Sequence, residues 1–249
     1  MIKQENKIAI VTGGGSGIGF AIAKKFVIEN ITTIIIGRDT KKLNDAKKEL
    51  GELCIPISFD LNDIASIPKL VKEIESKFGS ISILVNNAGI NLKKDFIEVS
   101  DEDFQRILYT NVSSVFALTR EVVKVMIKNV TGCIINISSM ASQYGLPKVI
   151  AYTASKSAIE GMTRAMAVEL SPLGIKVNCI APGFIATEMS AKALNNDPDR
   201  KKKVLSRTPM GKLGNPSDIA DAAFYFAGET SKFITGVVLP VDGGNSIGF

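Results

Sequence analysis

The stretch Lys7-Ile-Ala-Ile-Val-Thr12, followed by Gly13-Gly-Gly-Ser-Gly-Ile-Gly19, places a short apolar run directly before a glycine-rich turn. From Ile18 to Glu29 the apolar residues recur with helical spacing, so the segment predicts a strand, a tight turn and a helix. Glycines let a ligand approach the backbone, and a helix N-terminus favours a bound anion such as pyrophosphate. We therefore predict a dinucleotide-binding turn, against the alternative of a glycine-rich turn without a ligand. The residues predicted to bind the cofactor here are Gly13, Ser16, Gly17, Ile18 and Gly19.

Apolar runs alternate with helix-like segments along the rest of the chain. Further strands are predicted at Thr32–Gly37, Leu53–Phe59, Ile81–Val85, Cys133–Ser138, Ile175–Ile180 and Val237–Val241. Helices are predicted at Thr40–Leu50, from Asn62 or Asp63 to Phe78, and at Asp101–Lys128, Ala151–Leu170 and Pro216–Ala227. Near-continuous apolar strands are typical of a sheet buried on both faces, so the predicted fold class is α/β: a doubly wound parallel sheet (Rossmann fold) in a single domain over residues 1–249. The polar segment around 188–213 is expected to be irregular and to form a mobile lid over the substrate.

The chain of 249 residues contains no histidine and three cysteines, and its formal net charge is +5. Without histidine, the chemistry must use Tyr, Lys, Ser, Asp or Glu, and no metal site is predicted. The odd number of cysteines, all in apolar runs, indicates free thiols and a reducing, cytoplasmic location. The basic run at 200–203 fits a solvated helix face better than a nucleic-acid site. The N-terminus has no apolar signal core and no apolar run approaches the ~20 residues that span a bilayer, so neither nucleic acid nor membrane is an expected partner.

Ser138 and Ser139 close the fifth predicted strand, and Tyr152 and Lys156 follow, four residues apart. Positions i and i+4 share a helix face, so the tyrosine and the lysine can point into one cleft. A free phenol has a pKa near ~10, and a neighbouring ammonium lowers it. A phenol tuned in this way can exchange a proton with a reacting oxygen, and a serine hydroxyl can hold that oxygen. Alone, the pair is a weak signal, because Tyr-x-x-x-Lys also occurs on solvated helices.

Other motifs accompany this pair: the Thr12–Gly19 turn, Asn86-Asn-Ala-Gly89, Asn111, and Pro182-Gly183 with Thr187. In this order and spacing the sequence resembles the short-chain dehydrogenase/reductase family from about Lys7 to Gly244. The resemblance implies an oxidoreductase that moves a hydride between a nicotinamide cofactor and a secondary alcohol or ketone. It favours Ser139 over Ser138 as the catalytic serine, by register against the tyrosine. The implied catalytic residues are Asn111, Ser139, Tyr152 and Lys156.

The resemblance also implies further cofactor contacts. Asp60 reaches the adenine ring edge, with a helix cap as its alternative role. Asn111 bends its helix and holds a water beside Lys156, with a solvated asparagine as the alternative. The Ile185 backbone and the Thr187 hydroxyl hold the nicotinamide carboxamide, and part of the Asn86–Gly89 motif braces the sheet. The implied cofactor contacts beyond the first turn are Arg38, Asp60, Leu61, Asn87, Ala88, Gly89, Tyr152, Lys156, Pro182, Gly183, Ile185 and Thr187.

Arg38 follows the second predicted strand and indicates which cofactor is used. Enzymes that select NAD usually carry an acid at this strand end, where Gly37 stands here. Arg38 can bind a 2′-phosphate through charge-assisted hydrogen bonds, and in the family that the sequence resembles a basic residue here accompanies NADP. NADP(H) is therefore the predicted cofactor. The alternative is that Arg38 is a solvated loop residue, in which case NAD(H) is possible. Asp39 could cap the helix that follows.

Two other functions are alternatives. A non-catalytic NADP-binding sensor needs no tuned phenol, so turnover of any carbonyl substrate separates it from an enzyme. A sugar-nucleotide epimerase of the longer related family is disfavoured, because little chain follows Thr187 for a substrate domain. The resemblance also implies a homotetramer. Its interface candidates, for which core burial is the equal alternative, are Val122, Met126, Met162 and Met166.

Two substrate classes fit the sequence: 3-oxoacyl groups on acyl carrier protein, and sugar acids such as gluconate. Carrier-protein reductases place one arginine before the fifth strand and one before the sixth, which dock an acidic carrier. The matching positions here are Val130 and Leu173. Ser138-Ser139-Met140-Ala-Ser142 and Arg207-Thr-Pro-Met210 look more like the gluconate 5-dehydrogenase pattern. A small hydroxy acid or sugar acid is therefore the predicted substrate, ahead of a carrier thioester.

Overall fold

The computed structural model describes residues 7–187 and 198–248. Within these ranges seven strands form one sheet in the order β3-β2-β1-β4-β5-β6-β7. All neighbouring strands are parallel. The strands are β1 Ile8–Thr12, β2 Thr32–Gly37, β3 Cys54–Ser58, β4 Ile81–Asn86, β5 Gly132–Ile137, β6 Ile175–Pro182 and β7 Val238–Val241.

Helices cover both faces of the sheet. They are α1 Gly17–Ile28, α2 Thr40–Leu50, α3 Ile67–Phe78, α4 Asp101–Leu108, α5 Ser114–Lys128, α6 Ile150–Leu170, α7 Pro198–Arg207 and α8 Pro216–Ala227. Successive side chains of a strand point to opposite faces. In β1, Ile8 and Ile10 pack with α3, α5 and α6, whereas Ala9 and Val11 pack with α1 and α8. The sheet is thus buried on both sides, which confirms the predicted doubly wound α/β fold.

Polar residues in the connections set several helix starts. Asp39 accepts a hydrogen bond from the Lys42 backbone N–H at 3.1 Å and caps α2, as predicted. Asp63 caps the short 3-10 turn before α3 by accepting from Ser66 N–H at 3.3 Å. Pro68 lies in the first turn of α3, where a missing backbone N–H breaks no helical hydrogen bond.

The strand order creates the crevice in which the candidate site lies. From β1 the chain passes to β2 and β3 on one side, and then returns with β4 to the other side. The connections that follow β1 and β4 therefore run apart above the carboxyl edge of the sheet, where folds of this kind bind ligands. The sequence motifs singled out above follow the carboxyl ends of β1 to β6.

The segment predicted as one helix from Asp101 to Lys128 is interrupted. A turn of π-helix, Tyr109–Ser113, joins α4 to α5 and contains Asn111. Such a turn inserts one extra residue into the helical repeat and is frequent at functional sites. This irregularity lies where the resemblance implied that Asn111 bends its helix.

The segment predicted as an irregular lid, residues 188–213, contains the helix α7. The prediction of an irregular structure is therefore wrong over Pro198–Arg207. Proline and an acidic residue favour the first turn of a helix, and Pro198 and Asp199 stand there. Residues 188–197 of the predicted lid lie outside the described residues.

Two of the four interface candidates belong to the core. Val122 and Met126 on α5 have no exposed surface, because they pack in the layer shared by α3, α5 and the sheet. The interface role is therefore wrong for these two residues. Met162 and Met166 on α6 are partly buried, and they pack against Cys179 and against the main core layer respectively.

Candidate active site

The turn between β1 and α1 packs tightly against the loop after β4. A Cβ atom at Gly19 would lie 2.3 Å from the Gly13 carbonyl oxygen and 2.5 Å from Asn87 Nδ2. Any side chain at Gly19 would therefore push the two loops apart. Gly13 has a φ of +67°, a conformation that also favours glycine. Asn87 Nδ2 donates to the Thr12 carbonyl oxygen at 2.9 Å and joins the loops directly.

Thr12 is a second link between these loops, and the sequence analysis missed its role. Its buried hydroxyl accepts from the backbone N–H groups of Asn87 (2.9 Å) and Ala88 (3.0 Å). Asn86 Nδ2 donates to Asn136 Oδ1 on β5 and to Thr119 Oγ1 on α5, each at 2.9 Å. Asn86, the last residue of β4 and the first of the Asn86–Gly89 motif, thus braces the sheet, as the resemblance implied for part of this motif. A polar residue ending an apolar strand was the available signal for Thr12.

The first turn of α1 can accept an anion. Ser16 stands at the N-cap position, and its exposed hydroxyl makes no capping hydrogen bond. No acidic residue lies in the first helical turn. Backbone N–H groups at a helix start lack intrahelical partners and favour negative charge. The turn Gly13–Gly19 therefore suits a phosphate-bearing ligand, with Ile18 as part of the same helical turn.

Arg38 and Asp60 lie beyond β2 and β3. Arg38 Nη1 is 4.0 Å from Asp60 Oδ2, and the two side chains are 64% and 49% exposed. An exposed ion pair is worth about 0–1 kcal/mol, so Arg38 can exchange it for a bound anion. Asp60 Oδ1 accepts from Asn62 N–H at 3.0 Å. The alternative role of Asp60 was to cap the next helical segment, and Asp63 makes that cap instead. Leu61 packs partly buried against the core.

The segment after β6 faces the turn before α1. Gly183 N–H donates to the Val241 carbonyl oxygen at 3.0 Å, which holds the Pro182-Gly183 pair beside β7. Ile185 forms an isolated parallel bridge with Gly214. Thr187 Cγ2 would lie 3.7 Å from a Cβ atom at Gly17. The residues implied to hold the nicotinamide carboxamide therefore lie at the same crevice as the glycine-rich turn.

Tyr152, Lys156 and Ser139 come together at the carboxyl end of β5. Tyr152 and Lys156 lie one turn apart on α6, and Lys156 Nζ is 5.6 Å from the Tyr152 ring centroid. Lys156 Nζ also donates to the Ile137 carbonyl oxygen at 2.8 Å. The Ser139 hydroxyl interacts with the Tyr152 phenol and accepts from Ala141 N–H at 3.2 Å.

Ser138, the competing serine, points elsewhere. Its buried hydroxyl donates to Glu160 Oε1 at 2.9 Å and lies 3.4 Å from the Ile180 carbonyl oxygen. Ser139, by contrast, has its hydroxyl beside the phenol. This geometry agrees with the choice of Ser139 made from the sequence.

Burial dominates the titration of this cluster. It raises the pKa of Tyr152, and the interaction with Ser139 offsets part of the rise. The expected net lowering of the phenol pKa is therefore wrong, because burial raises this pKa by more than the hydrogen bond with Ser139 lowers it. The Lys156 ammonium is directed at the Ile137 carbonyl oxygen. Burial also lowers the pKa of Lys156 to about 8. At neutral pH the phenol is protonated and the lysine is charged.

Asn111 connects the π-helical turn to both sides of the site. Its side-chain oxygen accepts from Ile90 N–H at 2.8 Å, and its amide nitrogen donates to the Ile90 carbonyl oxygen (2.9 Å) and to Ser155 Oγ (3.0 Å). Asn111 is 1% exposed, so the solvated alternative is wrong. Both N–H bonds of the amide are used by protein, and the water contact implied beside Lys156 stays a prediction.

Three side chains connect the segments around the site, a role that was not predicted for any of them from the sequence. Tyr144, in the loop after β5, donates through its hydroxyl to Asn245 Oδ1. The Arg207 guanidinium carbon lies 4.3 Å from the Tyr144 ring centroid, and Arg207 Nε donates to the Asn245 carbonyl oxygen at 3.1 Å. These contacts tie the end of α7 to the active-site loop and to the tail after β7. They join residues far apart in the chain, so local spacing carried no signal for them.

Over residues 7–187 and 198–248, no group of three or more acidic or cysteine side chains is arranged to hold a metal ion. In the same part of the chain, no helix combines the length and the apolar character needed to traverse a bilayer.

Comparisons with known proteins agree with this geometry. Residues 13–246 match the family model described as enoyl-(acyl carrier protein) reductase. A 3alpha-hydroxysteroid dehydrogenase of Mediterraneibacter gnavus is 38% identical over 96% of both chains. The 3-oxoacyl-(acyl-carrier-protein) reductase FabG of Chlamydia trachomatis is 39% identical over 96% of this chain and 97% of its own.

A solved structure is similar over almost the whole chain. It is a Beutenbergia cavernae protein described as an NAD(P)-dependent gluconate 5-dehydrogenase, determined with NADP bound at low occupancy. The two chains superpose with a TM-score of 0.91, are 33% identical, and each is covered over 97% of its length. The chain belongs to the short-chain dehydrogenase/reductase family. It is an oxidoreductase of that family, as the sequence motifs predicted.

Proposed function

We propose that this chain interconverts a secondary alcohol and a ketone with NADP(H), and that its substrate is a small hydroxy acid or sugar acid. The observation that carries the proposal is the cluster of Tyr152, Lys156 and Ser139. The phenol of Tyr152 keeps its proton at neutral pH and can donate it, and the charged Lys156 lies beside it. In this proposal NAD(H) is the weaker cofactor. The similar gluconate 5-dehydrogenase structure with NADP supports the choice of cofactor and of substrate class.

The residues of the crevice fit a dinucleotide phosphate. The α1 N-terminus with Ser16 suits the pyrophosphate, and the exposed Arg38 suits a 2′-phosphate. A Cβ atom at Gly89 would lie 3.2 Å from Asn111 Oδ1 and 3.6 Å from Lys156 Nζ, so glycine leaves space next to the lysine. Asp60, Ala88 and Thr187 complete the proposed set of contacts around the adenosine and nicotinamide ends.

A bound nicotinamide supplies the hydride for reduction of the substrate carbonyl carbon or accepts it in the reverse direction. In the reductive direction Tyr152 gives its phenol proton to the carbonyl oxygen, and its raised pKa keeps that proton in place until the oxygen becomes basic. The Ser139 hydroxyl hydrogen-bonds the same oxygen and fixes its position. The Lys156 ammonium stabilises the phenolate that remains, and Asn111 holds the Ile90 backbone beside the lysine.

The charge of Lys156 predicts the pH dependence of reduction. Because its pKa is lowered to about 8, kcat/KM for ketone reduction should be constant below that pH and fall above it. Between about pH 8 and 10.5 the unfolded chain binds more protons at this lysine than the folded chain, so this group makes folding more favourable as pH rises. Unfolding through this group therefore does not explain the fall. In Lys156→Arg, which stays charged, the residual activity should not fall at that pH; a flat profile for the unmodified enzyme would contradict the role.

Cofactor preference should depend on Arg38. A charge-assisted hydrogen bond contributes about 1.5–3 kcal/mol, so Arg38→Ala should raise the Kd for NADPH by roughly 10- to 150-fold. The Kd for NADH should stay unchanged, because NADH lacks the 2′-phosphate. Fluorescence titration of both cofactors measures this without a substrate.

The matched control for this test is Lys48→Ala. It removes the same charge from the far end of α2, where Lys48 is 80% exposed. NADPH affinity should not change in that variant. A preserved preference for NADPH in Arg38→Ala would mean that another residue binds the 2′-phosphate.

The substrate class is supported by the surface as well as by the motifs. Val130 and Leu173, the positions at which carrier-protein reductases place arginines, are 71% and 39% exposed. A Cβ atom at Gly174 would lie 2.4 Å from the Val130 carbonyl oxygen, so the two positions belong to one surface region. An apolar pair there offers no positive charge to an acidic carrier protein.

An activity screen with NADPH tests this choice. The panel contains 5-keto-gluconate, ketoses, a 3-ketosteroid and acetoacetyl acyl carrier protein. We expect the highest kcat/KM with the keto acid. Efficient reduction of the carrier-bound substrate without activity on keto-gluconate would assign the chain to the carrier-protein reductases instead. Binding of NADPH without turnover of any carbonyl would favour the sensor.

We further propose that the chain forms a homotetramer and works in the cytoplasm, without a nucleic-acid or membrane partner. Apolar side chains exposed on the single chain are consistent with subunit contacts: Val168 on α6 is 80% exposed and Phe233 before β7 is fully exposed. Light scattering at micromolar concentration measures the assembly, and a monomer would contradict it.

A further inference from the structure

Glu160 is a buried acid that the proposed mechanism does not use. It follows Tyr152 and Lys156 on α6 at the same four-residue spacing, so the three side chains share one helix face. Only 9% of Glu160 is exposed. In the described part of the chain no lysine or arginine forms an ion pair with it. Its Oε1 atom instead accepts hydrogen bonds from Ser138 Oγ, at 2.9 Å, and from Ser142 Oγ.

The two serines bound to Glu160 flank Ser139. Ser138 precedes it, directly after β5, and Ser142 lies in the 3-10 turn that follows it. Ser142 Oγ is also 2.5 Å from the Ser139 carbonyl oxygen. Hydrogen bonds to a carboxylate are stronger than those between neutral groups. Glu160 therefore holds the backbone on both sides of Ser139.

We propose that Glu160 is a positioning residue that anchors Ser138 and Ser142 and thereby fixes the Ser139 hydroxyl against the Tyr152 phenol. This inference rests on the proposed catalytic role of Ser139. A single helix, α6, then supplies the proton donor, the neighbouring cation and the anchor for the facing loop. Because these groups lie on one rigid element, the distance between the phenol and the serine is set by the helix.

Variants at Glu160 test the anchor. Glu160→Leu removes the acceptor at similar volume, and a misplaced catalytic group should lower kcat by about 10- to 100-fold. Glu160→Gln keeps a carbonyl oxygen as acceptor and should restore most of kcat. KM for 5-keto-gluconate, or for the carbonyl of the panel that is reduced fastest, and the Kd for NADPH should stay unchanged in both. The matched control is Glu121→Leu, which removes another buried carboxyl, bonded to Arg120 and Lys124 and not to the active-site loop.

A double-mutant cycle with Ser139→Ala separates positioning from a structural role. If Glu160 acts through Ser139, Glu160→Leu should cause no further loss of kcat once the serine hydroxyl is gone. If Glu160→Leu does not fold, Ser142→Ala replaces it in the same cycle, with a smaller loss that also disappears in the Ser139→Ala background.

Two results would overturn the inference: an unchanged kcat in the folded Glu160 or Ser142 variant, or an equal fold-loss with and without the Ser139 hydroxyl. Failure of the proposed function is measured separately. If Ser139→Ala alone leaves kcat undiminished, Ser139 has no catalytic role. The positioning role of Glu160 then fails as well, and no Glu160 variant is needed to show it.

Discussion

Tyr152→Phe is expected to lower kcat by about 10²- to 10⁴-fold, the usual contribution of a positioned acid or base. The ring that packs beside Lys156 remains, and only the proton donor is removed. No histidine exists in the chain to replace it. The Kd for NADPH should stay unchanged, because the proposed phosphate contacts lie at α1 and Arg38. Steady-state kinetics with the carbonyl of the panel that is reduced fastest measure kcat, and a fluorescence titration measures the Kd for NADPH.

The control for this variant is Tyr225→Phe, which removes a phenol from the outer side of α8. That change should alter neither kcat nor cofactor affinity. A near-normal kcat in Tyr152→Phe would exclude the phenol as the proton donor and refute the mechanism. A lost NADPH affinity instead would show that the phenol also contributes to cofactor binding.

Gly19→Ala is expected to disrupt the cofactor turn with a single methyl group. The added Cβ atom would stand 2.3 Å from the Gly13 carbonyl oxygen and 2.8 Å from the Gly13 carbonyl carbon, so the backbone must move. Overpacking of this kind costs about 1–3 kcal/mol of the free energy of unfolding. Because the same turn faces the proposed pyrophosphate, we expect the Kd for NADPH to rise by at least about tenfold, a change of 1.4 kcal/mol in binding free energy.

Gly161→Ala is the matched control for Gly19→Ala. Gly161 is exposed within α6, and a Cβ atom there would meet nothing within 4 Å. Alanine in a helix interior is more favourable than glycine by roughly 0.5–1 kcal/mol, so Gly161→Ala should raise Tm and leave NADPH affinity unchanged. Thermal melts and titrations of both variants separate a local clash from a general effect of the added methyl. Normal affinity and normal stability in Gly19→Ala would contradict the close packing of the turn.

Local chemistry explains which parts of the fold could be predicted from the sequence. β2 and α2 begin and end where they were predicted, because Asp39 caps the helix and the apolar run of β2 is uninterrupted. The π-helical turn at Asn111 depends on partners at Ile90 and Ser155, which lie far away in the chain. Spacing alone could mark Asn111 as unusual, but it could not supply those partners. The helix α7 did have a signal, in Pro198 and Asp199, that the sequence analysis did not use.

The proximity of the candidate residues could be predicted from the sequence, whereas their electrostatics could not. Tyr152 and Lys156 were placed side by side from their spacing, and the structure has them on one face of α6. The direction of the Tyr152 pKa shift could not be predicted, because burial depends on the packing of the whole chain around the phenol. The same four-residue spacing extends to Glu160, but its role became visible only through the two serines of the facing loop.

Hydride transfer from a nicotinamide to a carbonyl can be followed directly by isotope labelling of the cofactor. The enzyme is incubated with 5-keto-gluconate, or with the carbonyl of the panel that is reduced fastest, and NADPH carrying deuterium at both C4 positions. The product is then analysed by mass spectrometry and NMR. We expect one deuterium on the new carbinol carbon, and far less labelled product with Tyr152→Phe. Tight NADPH binding with no labelled alcohol from any carbonyl of the panel would contradict this expectation.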